Sequence, residues 1–280
     1  MSETRSTFFP PVRDRAAATS AGFRFGHVGT HSSRTMMLDE LEALLSATPG
    51  DAKPEQHANA VIEENCLGKQ TVANRRHSLQ HLRELYGLDS NLPLFRILVR
   101  LWHSDSAGRP LLALLAALAR DPLLRASSQA TVTLPEGAEF QRSAARASIA
   151  KAVGDRLGDS TIEKVVRNTA SSWAQAGHLQ GRTFKIRRRV KPTPATVAFA
   201  LYLADAAGFH GHESLTSNWF KVLDCSTSTA MELALEAKRI GLIDLRSSGD
   251  VFELNLARLD PPRVTPSQSE PQGAQRYSPR

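Results

Sequence analysis

Eight cations in one run carry the strongest chemical suggestion in the chain: Lys164, Arg167, Arg182, Lys185, Arg187, Arg188, Arg189 and Lys191. No acidic residue stands between Lys164 and Ala204. A basic surface that is only a solvated face usually interleaves acids with bases. A run without counter-charge holds a strong positive field, which suits a polyanion such as double-stranded DNA. Lys164 and Arg167 at helical spacing would meet phosphates, and Asn168 and Ser171 beside them could add base or phosphate bonds. Arg75 and Arg76, within the basic stretch VANRRHSLQHLREL, form a second candidate contact.

Other chemistries are weaker. Gly68-Lys69-Gln70-Thr71 echoes the end of a phosphate-binding loop, but the upstream glycine and the preceding apolar strand are absent. His77 and His81 lie one helical turn apart, as metal ligands can, yet no third ligand is placed by sequence. His210-Gly211-His212 beside Glu213 is no stronger. The two cysteines, Cys66 and Cys225, are far apart, in neither a metal-like nor a disulfide-like pattern. No nucleophile elbow and no paired carboxylates in an apolar setting occur. The reading is of a protein without catalysis of its own, with no cofactor and no metal.

The 280 residues carry a net charge of +7, and a hydrophobic fraction of 41% permits a substantial core. The most apolar segment, Leu111 to Leu118, is bracketed by Arg109 and Arg120 and falls far short of the roughly 20 residues of a membrane helix. The N-terminal residues carry no long apolar run of a secretory signal. With so few cysteines, a reducing cytoplasm is the expected location.

The elements that must position the cations follow from periodicity and punctuation. Asp159-Ser160-Thr161 offers N-cap side chains, Ile162, Val165, Val166, Thr169 and Trp173 recur at helical spacing, and Gly177 stops the helix. A short basic hairpin follows to Lys191. Further on, Ser226 to Thr229 caps a second such helix, Gly241 stops it, and Leu242–Arg246 and Val251–Leu256 read as a hairpin. Helix, glycine and hairpin in this order suggest two tandem winged helix-turn-helix-like units.

Upstream, Ser32-Ser33 reads as the cap of a helix to Ala47, with further helices over 54–66, 71–86, 93–102 and 110–119. Residues 130–134 read as a short strand or extended linker, and 136–153 as another helix. The expected architecture is mainly α with small β-hairpins: a helical bundle over 25–135, winged-helix-like units over 136–211 and 212–258, and disordered ends at 1–24 and 259–280.

Three segments, SRTMMLDELEALLSA (33–47), VIEENCLGKQTVANRRHSLQHLRELYGLD (61–89) and GDSTIEKVVRNTASSWAQAGHLQG (158–181), resemble in order and spacing the BrxA family of bacterial BREX phage-exclusion systems. The marks are a Ser-Arg before an apolar helix, Asn65-x-Leu67 before a Thr71-led basic helix, and the Asp-Ser-Thr before a helix ending in Ala-Gly. The likeness covers roughly 30 to 205. It implies a small, mainly helical, non-enzymatic DNA-binding protein that works beside a methyltransferase, a phosphatase-like protein and an ATPase. Short members of the family end near the position of Gly211, whereas this chain continues into a second unit.

Two expectations bear directly on the interface. Alternation along an extended 182–191 would put Arg187 and Arg189 on the phosphate side with Lys185 and Lys191, and Arg188 toward the core. The second helix presents Glu232 and Glu236, which would repel phosphate. With aromatics exposed near Trp219 and Phe220, that unit could hold another protein instead. A protein-assembly module and a winged-helix transcriptional regulator are the alternative readings.

Overall fold

The computed structural model describes residues 8–26, 29–248 and 251–261, and it is mainly helical with two small antiparallel strand pairs. The first half comprises α1 (Arg15–Ala21), a 3₁₀ turn at Thr30–Ser32, α2 (Leu38–Ala47), α3 (Pro54–Ile62), α4 (Val72–Tyr86), α5 (Pro93–Ser104) and α6 (Arg109–Arg120). Proline stands in the first turn of α3, α5 and α6, where its missing N–H costs nothing. α4 starts where Thr71 Oγ1 accepts the Asn74 N–H at 3.2 Å. Every residue of α6 from Leu111 to Arg120 is buried. A helix that is apolar all round needs neighbours all round. α4, α5, α7 (Pro122–Ala126), α10 (Asp159–Gln175) and α11 (Pro194–Ala206) supply them, with α8 (Ser128–Val132) and α9 (Arg142–Val153) lying between α7 and α10 in the chain.

After α10 come β1 (Leu179–Gln180) and β2 (Ile186–Arg187), paired antiparallel with Leu179 opposite Arg187. The extended residues 138–140 run along the other edge of β2: Phe140 N–H donates to Lys185 O at 2.7 Å and Arg187 N–H to Ala138 O at 2.9 Å. The chain then continues from α11 through α12 (His212–Thr216), α13 (Asn218–Val222) and α14 (Thr227–Arg239) to β3 (Asp244–Ser248) and β4 (Val251–Asn255). Ala230, Ala234 and Ala237 form a small-residue stripe on the buried side of α14, which packs on α11. Buried apolar residues form one continuous cluster from Ala18 to Leu259.

Several local expectations are corrected. Ser32-Ser33 caps no long helix; the chain makes one 3₁₀ turn there, and α2 begins after Met37, at φ 55°. Residues 130–134 are not a strand, for α8 occupies most of them. The helix expected from Glu136 begins only at Arg142, because 137–140 spend their backbone groups on β2 and Gly137 turns the chain at φ 81°. Gly158, not a side-chain cap, precedes α10; Asp159 sits in the first turn and pairs with Arg146 at 2.6 Å.

The expected disorder at the ends is also corrected where residues are described. Residues 8–24 are built onto the body: Phe9 and Phe23 pack on Trp219 with ring centroids 4.7 and 5.7 Å away, and Arg13 pairs with Glu213. Their apolar side chains lack any period, because they fill gaps in a remote surface rather than one face of an element. Leu259 is buried and Asp260 takes two bonds from Arg96, at 2.8 and 2.6 Å. Residues 1–7 and 262–280 lie outside the described residues. Trp219 and Phe220, expected as exposed aromatics, are buried.

Candidate nucleic-acid interface

α10 is held from behind by polar bonds as well as by its apolar stripe. Trp173 Nε1–H donates to Ser127 Oγ at 2.8 Å. His31 Nδ1 lies 2.9 Å from Asp121 Oδ2, and His31 Nε2 lies 2.8 Å from Ser172 Oγ. Burial pushes the Asp121 carboxyl up, but the adjacent His31 and the backbone N–H groups of Leu124 and His31 outweigh it and hold it below its ordinary value. Aspartate, histidine and serine stand here in the order of a hydrolase relay. Ser172 is fully buried, however, and its hydroxyl oxygen already accepts the Met36 N–H at 2.8 Å, leaving no room for a substrate carbonyl. The trio ties α10 to the segment around Thr30–Met36.

Asn168 belongs to the same tie: its Nδ2 donates to His31 O at 2.9 Å. Of the α10 residues read as DNA contacts, Asn168 therefore turns inward, while Lys164, Arg167 and Ser171 keep the outer face.

Beyond Gly177, at φ 89°, His178 is buried and edge-on to Trp173, with Nε2 2.7 Å from Val222 O. Burial pushes its pKa down to about 4, so it serves as a neutral strut. The β1–β2 loop turns at Gly181, φ 114°, where a side-chain carbon would collide with the Phe184 carbonyl. Lys185 Nζ donates back to Gly181 O at 3.2 Å. Burial, and then the charge of Arg142, lower the Lys185 pKa.

The predicted alternation is reversed at its centre. The Arg187 side chain is 2% exposed and pairs with Asp224, whose other oxygen accepts the Val190 N–H at 3.0 Å. Arg188 instead faces solvent and donates to Gln180 Oε1 at 2.8 Å; Arg189 is exposed, 3.7 Å from Glu136. Arg187 points inward because it lies opposite the buried Leu179, and because Asp224 offers it a buried carboxylate. That partner is 37 residues away, beyond any local pattern.

The outer face of α10 and the hairpin loop enclose a groove of about 700 Å³, lined among others by Arg142, Arg167, Ser171, Arg182, Phe184 and Lys185. Glu139 is the single acid in that lining. The side chains of Arg142, Lys164, Arg167, Arg182 and Lys191 make no hydrogen bond or ion pair among the described residues. Arg142 was hidden in the sequence because its helix starts later than the pattern suggests. The exposure of Phe184 was equally hidden, since Thr183-Phe184-Lys185-Ile186 reads as a strand.

Arg75 and Arg76 sit apart from this groove. Arg75 donates to Ile62 O at 2.9 Å and Lys69 O at 3.3 Å, a structural clasp rather than a free cation. Arg76 is exposed and borders a cleft of about 400 Å³ with Arg24, Arg83 and Arg120. Burial, with the nearby Arg24 charge, brings Arg120 down to about 10. Its N–H groups reach the Glu84, Gly22 and Arg83 carbonyls, so it caps the end of α4.

Among the described residues no group of three or more His, Cys, Asp or Glu could hold a metal ion, and no helix is long and apolar enough to cross a membrane. Burial pushes both thiols up, Cys225 to about 11, away from thiolate chemistry. No protein-family model and no curated protein sequence matches the chain.

Proposed function

We propose that the chain is a non-enzymatic double-stranded DNA-binding protein that meets the duplex mainly through phosphates, with α10 and the β1–β2 hairpin as its contact surface. One observation supports the reading above all: among the described residues, the side chains of Arg142, Lys164, Arg167, Arg182 and Lys191 have no ion-pair partner, around one helix and one hairpin. Unneutralised cations raise the free energy of the isolated protein and lower it again when phosphates arrive and counterions leave. The order of elements supports a winged-helix reading: extended 138–140, α9, α10, β1, loop, β2, with α10 in the recognition position.

Duplex DNA titrated at several salt concentrations tests it. Affinity should fall with a log–log slope of roughly −0.9 per phosphate neutralised. Weak binding at low salt with a flat slope rejects the reading.

A second reading, protein assembly, applies to the C-terminal unit. Leu235 and Ile240 on and after α14 are 46% and 51% exposed, and Glu236 is paired with Arg239 rather than left to repel phosphate. The phage-exclusion setting, with a methyltransferase and an ATPase as partners, rests on the BrxA resemblance. Neighbouring genes for those enzymes would support it, whereas an isolated gene beside a divergent promoter would favour a transcriptional regulator.

A further inference from the structure

We propose that Phe184 is a base-stacking residue: the groove beside it accepts an unpaired nucleobase, so that the protein favours DNA containing such a base over intact duplex. The inference rests on the DNA-binding reading above and extends it to the form of DNA preferred.

Phe184 is 68% exposed, more than any other exposed large apolar side chain among the described residues. Its ring gains nothing from phosphate, and a surface that met only the backbone would have no use for it. Its surroundings are cationic. Arg182 and Lys185 flank it in the loop, and Arg142 and Arg167 line the same groove. Aromatic rings for bases with cations for the flanking phosphates is the chemistry of single-strand recognition.

The groove also suits a flat ring. Its floor includes the apolar Phe140, Val166 and Ala170, where a base can shed water without stranding a polar atom. Gln141 and Ser171 at the same groove supply an amide and a hydroxyl for a base edge. The loop is set in advance: Gly181 holds its positive φ against the Phe184 carbonyl, and the Lys185 ammonium closes onto Gly181 O. A side chain presented by a pinned loop loses little freedom on binding.

The test titrates the full chain, Phe184→Ala and Phe184→Trp with one duplex and with the same duplex carrying a central unpaired bubble. The unaltered protein should bind the bubble tighter by about 5- to 150-fold, the range for one stacked base. Phe184→Ala should lose that preference, weakening bubble binding far more than duplex binding at the same salt slope, and Phe184→Trp should keep it. Equal affinity of the unaltered protein for both DNAs, or an equal loss on both in Phe184→Ala, overturns the inference and leaves duplex binding standing. Absence of salt-dependent binding to either DNA removes both readings. If sedimentation shows that Phe184→Ala instead breaks up a self-associated form, the ring serves contacts between copies of this chain, and the inference is wrong.

Discussion

Two hairpins follow two helices in this chain, and their charges are arranged differently. Around β1–β2, Arg142, Lys164, Arg167 and Arg182 have no ion-pair partner among the described residues, and Phe184 is exposed in the loop. Around β3–β4 two ion pairs form, Glu236 with Arg239 and Asp244 with Arg258 at 2.7 Å, and the remaining charges are of both signs. The second hairpin region also exposes two large apolar side chains, Leu235 and Ile240, beside the exposed Glu232, Lys238 and Arg246. Both regions share the order helix, glycine, hairpin, so the difference in chemistry comes from surface residues that this order does not constrain. The lesson extends inside the first hairpin, where neighbouring arginines divide the work. Arg187 is a buried structural cation, while Arg188 and Arg189 remain in solvent.

The largest effect expected falls on that division. Asp224→Ala strands the buried Arg187 charge and should cost about 3–5 kcal/mol of stability, read by denaturant unfolding. An exposed pair would cost at most about 1 kcal/mol, so a small loss would mean that Arg187 belongs with the solvent-facing cations after all.

Next in size is the triple change Arg142→Ala, Arg167→Ala and Arg182→Ala. It should flatten the salt slope by about 2.7, at roughly 0.9 per phosphate contact, with little change in unfolding. An unchanged slope would move the interface elsewhere, with Arg76 the first alternative, and would erase the contrast between the hairpins.

A smaller effect tests the support behind α10. Asp121 is held below its ordinary pKa in the folded chain, so its contribution to stability is fully present above the unfolded value of about 3.9. That contribution is lost as pH falls through the folded value. Unfolding midpoints measured against pH should therefore fall more steeply in acid for the unaltered protein than for Asp121→Asn. Parallel curves would remove Asp121 from the tie.

The smallest effect is a null. Leu235→Ser with Ile240→Ser should leave the salt slope of DNA binding unchanged within error. A clear change would bring the second hairpin region into the DNA contact and dissolve the comparison.

What could be read from the sequence was local. Thr71 marked the start of α4, the stripe Ile162–Trp173 marked the buried side of α10, and Gly177 and Gly241 marked where helices give way to hairpins. Each depends on neighbours within a turn or two. What escaped was set by distant residues. Arg187 turned inward toward an aspartate beyond α11, and Asn168 and Ser172 were taken by His31, more than 130 positions earlier. The cationic groove was legible in its α10 and loop residues but not in Arg142, whose position depends on where 137–140 stop pairing with β2.

The docking of the N-terminal arm has a consequence for synthesis. Arg13 reaches Glu213 across 200 positions, and Phe9 rests on Trp219. A ribosome adding roughly 5–20 residues per second needs about 10–40 s to cover that interval. Throughout it the arm has been made and its seat has not. Nascent chains halted before α13 would lack the Trp219 ring that Phe9 and Phe23 pack on, so docking of the arm waits on the synthesis of α12 and α13.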